Sequence, residues 1–213
     1  MTIKELKKII SQLGLAIDDA SGQILVEWEK VPFSFLDRPY WGVLSSIEGI
    51  GPNTLAILVA AFGSAREVFR QSSDSLSSVG LSKKVIDKIL KFKKIDFKEY
   101  FKKLSTIDGH NLFFIIPGEK IFPPPLSKIS HGPSQLWGWG NPKTLLAKYP
   151  LAVVGTRKIT AYGREITINL TKQLATRGCA IVAGLMYGVD EVAMRAALDV
   201  GGLVIGVWAG GLS

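Results

Sequence analysis

The chain has 213 residues, 47% of them hydrophobic and 21% charged; at roughly 150 residues per domain that is one or two packed domains, and it excludes a disordered or fibrous chain. Lys and Arg number 26 against 18 Asp and Glu, a formal charge of +8, which points to a polyanionic partner and to nucleic acid first. One cysteine, Cys179, and two histidines, His110 and His131, exclude a disulfide framework and a zinc cluster, and no apolar run approaches the ~20 residues that cross a bilayer, so no metal, cofactor or membrane is expected and the cytoplasm is the expected location.

Residues 1–39 open with a charged amphipathic stretch, MTIKELKKIISQLGLAIDD, that lacks a signal-peptide core; they read as an extra helix and strand packed on a helical domain. From Ser45, SSIEGIGPNTLAILVAAF puts Leu55, Leu58, Val59 and Phe62 at helical spacing. Its Gly49-Ile50-Gly51 turn, with Pro52 suited to the first helical turn, has the form of a helix-hairpin-helix element whose glycines let backbone N–H groups face a phosphate. The same pattern also serves an αα-hairpin used only for packing. A degenerate second copy, LSSVGLSKKVIDKILKF from Leu76, places Val85, Ile86, Ile89 and Leu90 on an apolar face. It opens a lysine-rich stretch from Lys83 to Lys103 that is either a solvated face or a nucleic-acid contact.

The charge balance shifts at His110. Of the basic and acidic residues, 16 and 13 lie in 1–110, leaving 10 and 5 for 111–213, and a domain cut is expected there, giving 1–109 and 110–213. Pro117 to Pro150, with PPP at 123–125 and LWGWG at 136–140, reads as an ordered linker or strand-and-turn region. Trp137 and Trp139 read either as stacking surfaces for bases or, as aromatic pairs in linkers more often do, as aromatics that pack domain against domain. Beyond it come LAVVG (151–155), a helix over about 162–177, CAIVAG (179–184), a helix over about 189–199 and LVIGVW (203–208). The expected fold class is α/β: a helical domain, then a partial Rossmann-like parallel sheet with right-handed crossovers and helices on both faces. Cys179 reads as a buried small hydrophobe at a strand start. There is no P-loop, no dinucleotide fingerprint and no nucleophile elbow, so classical NAD or ATP binding is disfavoured and no catalytic residue is expected.

Several motifs in order resemble the DNA processing protein A (DprA/Smf) family. Gly155-Thr156-Arg157 is similar to its strand-end Gly-Ser/Thr-Arg, Tyr162-Gly163 to its helix start, and Ala183 to Asp190 to its Ser-Gly-Leu-Ala-Arg-Gly-Ile-Asp. Phe122-Pro123, Leu126, Ile129, Pro133, Leu136 and Gly140-Asn141-Pro142 resemble the entry into its Rossmann-like domain. Tyr40-Trp41 through Phe62-Gly63-Ser64 resemble its helix-hairpin-helix region, so the likeness covers about residues 40–213. The resemblance implies a non-enzymatic single-stranded-DNA-binding mediator that protects incoming DNA in natural transformation, helps load a RecA-type recombinase and forms a homodimer. It also implies a Rossmann-like domain cut short at the C-terminus, and Tyr187 stands where the family motif has Arg.

On these positions the physics is that of an anion site. Ligands of such sheets sit beyond the carboxyl ends of the strands. Gly155 permits a sharp turn, the following helix start attracts negative charge, and Arg157 grips a phosphate in two places. The expected phosphate contacts are Gly155, Thr156, Arg157, Lys158, Gly163, Gly184 and Gly188, with Gly49 and Gly51 from the hairpin. Arg164 adds positive potential or is a plain surface charge. An ion pair between Arg157 and Asp190 is the structural alternative, and Asp190 is otherwise expected to cap its helix. A second function class stays open: a nucleoside-monophosphate-hydrolysing enzyme of the lysine-decarboxylase-like Rossmann group, although its Pro-Gly-Gly-x-Gly-Thr stretch does not occur. A third is an interaction fragment with a vestigial Rossmann part.

Overall fold

The computed structural model describes residues 16–17, 24–25, 37–93, 96, 99, 112–129 and 132–210. Within 1–39, strand β1 (Ala16–Ile17) pairs antiparallel with β2 (Ile24–Leu25), Ala16 opposite Leu25; the rest of the amphipathic N-terminal stretch lies outside the described residues. Helix α1 (Arg38–Ser46) carries Pro39 in its first turn and α2 (Pro52–Phe62) begins on Pro52, where a missing N–H costs no helical bond. Gly63 ends α2 in the left-handed conformation, φ 86°, which an L side chain resists. Two single-turn helices come next, each begun by a serine. Ser64 accepts from the Glu67 N–H at 3.2 Å ahead of α3 (Ala65–Val68), and Ser72 from the Ser75 N–H at 3.2 Å ahead of α4 (Ser73–Ser78). Helix α5 (Lys83–Phe92) buries Val85, Ile86 and Ile89 and turns Lys83, Lys84 and Lys91 outward.

Trp41, Leu44, Leu55, Leu58, Leu76 and Ile89 are fully buried in one core, each removal from water being worth about 1.5–3 kcal/mol. The core also takes in Phe114 and Ile116, which belong to or adjoin β3 (Leu112–Ile115). That strand pairs antiparallel with β4 (Leu136–Trp139), and the connection contains the one-turn helix α6 (Pro124–Ser127). The glycine between the tryptophans is required here: a Cβ on Gly138 would lie 2.2 Å from the ring of Phe113 directly opposite. On the other face Trp137 meets Phe114, ring centres 4.5 Å apart. The Trp41 indole N–H donates to the Ser134 carbonyl at 2.8 Å, and the Ser45 hydroxyl donates to the Gln135 side chain. Packing therefore divides the chain into Met1–Gly140 and Asn141–Ser213, whereas the expected cut near residue 110 follows the change in composition.

The second unit begins with a 3₁₀ turn, Pro142–Leu146, and then runs β5 (Pro150–Ala152), α7 (Ala161–Thr176), β6 (Ala180–Ala183), α8 (Val189–Asp199) and β7 (Val204–Gly206). The strands are parallel in the order β5-β6-β7, with Leu151 beside Ile181 and Ile181 beside Val204. Consecutive strands that are also neighbours, joined by crossovers of one hand, place both helices on one face. Helices α7 and α8 accordingly pack on each other and on β6, around Ala175, Ile181, Ala193 and Ala197. This corrects the expectation of helices on both faces. Flanking β5 and β7, Val154, Leu203 and Val207 are 74%, 39% and 57% exposed. A strand that is apolar on both sides leads one to expect cover on both faces, but the run of residues does not show which segment supplies it.

Candidate nucleic-acid interface at the strand ends

The loops after β5 and β6 are locked together by one carboxylate. Asp190, only 6% exposed, accepts from the Gly155 N–H at 3.3 Å through Oδ1 and from the Gly184 N–H at 3.0 Å through Oδ2. These bonds span the carboxyl ends of two neighbouring strands. The Val189 N–H adds a third tie, donating to the Thr156 carbonyl at 3.2 Å. Asp190 is thus not the cap of its own helix: Gly188 occupies that position and no side chain caps α8. The carboxylate lies in the first turn, where negative charge is favoured, and reaches across to the strand ends.

Gly188 has φ 90° and ψ −128° and is buried; a Cβ there would fall 2.2 Å from the Thr156 carbonyl oxygen and 2.7 Å from the Arg157 Cα. Gly155 is crowded in the same way by Val189, at 2.6 Å. The two glycines therefore let one loop lie directly on the other. Leu185, at φ 58°, is the one positive-φ non-glycine residue among the described residues, and its side chain lies 2.9 Å from where a Cβ of Gly206 would be. The Val207 N–H donates to the Ala183 carbonyl at 2.8 Å, which brings the end of β7 alongside. All three strand-end loops thus lie at one edge, as the strand pattern of the sequence requires.

Because Asp190 is committed to backbone N–H groups, Arg157 does not pair with it. The Arg157 guanidinium is exposed, touches the Met186 sulfur at 3.7 Å and forms no salt bridge among the described residues. Lys158 is exposed beside it, and its N–H donates to the Thr156 hydroxyl at 3.1 Å. Gly163 differs from its expected use: its N–H donates to the Thr160 hydroxyl, the cap of α7, at 3.0 Å. Positive charge at this edge is therefore supplied by side chains held on a rigid loop more than by a bare helix start. Leu185 and Met186 belong to the site without being expected there; the signal in the sequence is their place between the two loop glycines Gly184 and Gly188.

In the first unit Gly49 has φ 99°, and a Cβ on it would meet Val85 of α5 at 2.8 Å, so this glycine serves packing of the two hairpins. Gly51 is exposed with open space where a Cβ would be and leads directly into the N-terminus of α2. Beside it the Lys88 ammonium lies 2.6 Å from the Glu48 carboxylate and holds that carboxyl below its ordinary range. Of the lysine-rich stretch, Lys83, Lys84, Lys91 and Lys93 are exposed, and Lys93 donates to the Gln71 carbonyl. Cys179 is half-buried, not buried as expected, because it lies in the turn just before β6. His110, His131, Lys94, Lys98, Lys102, Lys103 and residues 211–213 lie outside the described residues.

The fold and site together define a helix-hairpin-helix tandem followed by a Rossmann-like parallel α/β unit with a basic strand-end edge. The model of the family described as DNA recombination-mediator protein A matches residues 113–213, and that of the SAM-like helix-hairpin-helix tandem matches 42–92. The DNA processing protein DprA of Bacillus subtilis is 37% identical over 125 residues, 55% of this chain and 41% of that protein. Protein Smf of Escherichia coli is 33% identical over 138 residues, 65% of this chain and 36% of that protein, and a putative DNA processing protein DprA of Mycobacterium tuberculosis is 47% identical over 83 residues, 38% and 21%. The X-ray structure of DprA from Streptococcus pneumoniae shares the fold, with a TM-score of 0.53 and 22% identity, over 87% of this chain and 56% of that one. Over these stretches the chain is similar to proteins of the DprA/Smf family, and it spans about a fifth to two-fifths of the length of these curated relatives.

Proposed function

We propose that this chain is a recombination mediator of the DprA type that holds single-stranded DNA by its phosphates at the strand-end edge of β5, β6 and β7. Arg157 and Lys158 supply the charge. Gly155, Thr156, Gly184 and Gly188 supply the close backbone, and Gly163 serves by holding the start of α7. Gly49 and Gly51 form the hairpin of the helical region, with Gly51 offering a second, weaker backbone contact. Its biological setting in this reading is the cytoplasm, in natural transformation, where it shields incoming strands, helps load a RecA-type recombinase and acts as a homodimer. No helix of the described residues is long and apolar enough to cross a membrane, which accords with that setting.

The observation that carries the reading is the division of labour between Asp190 and Arg157. A carboxylate that could have neutralised the arginine is bound instead to the Gly155 and Gly184 N–H groups, so an exposed guanidinium faces solvent at the place where ligands of such sheets bind. Similarity to the recombination-mediator family supports that class and gives no support to the nucleotide-hydrolysing alternative. The test is fluorescence anisotropy of labelled single- and double-stranded oligonucleotides over a salt series. The expected result is tighter binding of the single strand, with the logarithm of affinity falling linearly with that of salt by about 0.7 per phosphate neutralised. Equal affinity for the two forms, or binding indifferent to salt, overturns it.

A further inference from the structure

Among the exposed large apolar side chains, Tyr187 is the most open, at 80%. Its ring and hydroxyl meet no hydrogen-bonding, ionic or aromatic partner among the described residues. Such exposure is ordinary on a loose loop, but this loop is held at both ends and in the middle. Asp190 fixes Gly184, buried Gly188 lies on the backbone of Thr156 and Arg157, and Leu185 is kept in a left-handed conformation against Gly206. A leucine in that region is strained and persists only where surrounding contacts enforce it. The fold thus accepts local strain in a loop whose outermost side chain is an unpartnered aromatic.

The residues on either side of Tyr187 both touch Arg157. Met186, the residue before, receives the Arg157 guanidinium at 3.7 Å, and Gly188, the residue after, abuts the Arg157 backbone. Tyr187 is therefore flanked in the chain by the two residues that contact Arg157, the cation that the proposed function assigns to a phosphate. A nucleotide joined to that phosphate carries a flat base with a π-face, and stacking of a base on an aromatic ring is worth about 1–3 kcal/mol whichever base it is, roughly a 5- to 150-fold change in affinity.

We infer that Tyr187 is a base-stacking residue, which makes this edge selective for strands whose bases are unpaired and free to turn out. The inference rests on the reading of Arg157 as a phosphate contact, and the two are separable by experiment. A base paired within a duplex cannot lie on the ring, so Tyr187 favours the single strand where Arg157, which reads only charge, does not.

The test uses the full chain with two labelled probes of equal length, oligothymidylate and the same sugar-phosphate backbone made of abasic sites. The wild type is expected to bind oligothymidylate at least about fivefold more tightly than the abasic strand. Tyr187→Ala is expected to lose that margin and bind both alike with its salt slope unchanged, while Tyr187→Phe keeps it. Arg157→Ala is expected to weaken both probes and lower the salt slope by about 0.7. Since Tyr187 is exposed, its variants should melt with the wild type. If Tyr187→Ala retains the wild-type margin, or the wild type binds the abasic strand equally well, stacking is overturned while the phosphate reading stands. If Arg157→Ala changes neither affinity nor slope, the phosphate reading falls and the inference with it.

Discussion

In the first unit six large side chains from Trp41 to Ile89 are sealed from water by helices that pack on one another, and the β3–β4 hairpin adds Ile115 and Ile116 to the fully buried set. In the second unit Ile181 is the one large side chain fully buried among the described residues, and Val154, Leu170 and Val207 are more than half exposed. Short helices joined by tight turns close a core among themselves. In the second unit two helices cover one face of the three-stranded parallel sheet. The difference bears on the strand-end site, whose loops are joined by specific contacts. These are directional ties: two N–H groups on Asp190 and a glycine contact at Gly188.

The comparison predicts unequal costs for similar truncations. Trp41→Ala is expected to destabilise the first unit by about 3–5 kcal/mol, since it empties a fully buried site and leaves the Ser134 carbonyl without its donor. Leu170→Ala on the exposed side of α7 is expected to change stability by no more than about 0.5 kcal/mol. Urea unfolding followed by circular dichroism measures both. Comparable losses would mean that α7 is covered and the contrast between the units is wrong.

Asp190→Ala sharpens the contrast at the site itself. It strands two N–H groups in a half-buried position, each worth of order 1–3 kcal/mol. It is expected to lower the stability of the second unit by about 2 kcal/mol and to raise hydrogen exchange at Gly155 and Gly184. Binding of single-stranded DNA should weaken with it although no positive charge is lost. Unchanged exchange at those amides would show that the loops are held by something other than the carboxylate.

Most of the architecture is legible in the sequence because its elements are punctuated locally. The runs at 151–155, 179–184 and 203–208 bracket β5, β6 and β7, and the helices expected over 162–177 and 189–199 appear at Ala161–Thr176 and Val189–Asp199. The short helix α3 is equally legible, since Ser64-Ala65-Arg66-Glu67 has capping-box spacing, yet the apolar periodicity of longer segments overshadows it. Contacts between residues far apart along the chain are not disclosed by local pattern. The Trp41 bond to Ser134 ties the hairpin to the helices across 93 positions, and the Asp190 bond to Gly155 spans 35. An aspartate in a first helical turn reads locally as a cap, and only the fold shows that the strand ends are closer partners. Gly49 and Gly188 read in sequence as points of backbone approach to a ligand, whereas much of their necessity is approach to Val85 and to Thr156.

The smallest expected effect is one of pH, and it belongs to the first unit. Burial raises the Glu119 carboxyl above its ordinary 4.5, outweighing the attraction of Arg38 at 3.4 Å and the Ile116 N–H. The folded protein then keeps this proton to higher pH than the unfolded chain does. Its contribution to stability is full below about pH 4.5 and is lost as pH rises through the raised value. Glu119→Gln is expected to show a smaller fall in urea midpoint than the wild type on going from pH 4.5 to neutrality. An equal fall in both would place the effect elsewhere.

The central claim, that the locked strand-end edge holds nucleic acid through an arginine freed from its carboxylate, is tested most directly by Arg157→Ala. The measurement is single-stranded DNA affinity over a salt series, with the unfolding midpoint recorded alongside. The account predicts an unchanged midpoint, weaker binding and a salt slope reduced by about 0.7. A variant that folds as the wild type does and binds with the same affinity and the same slope would contradict it.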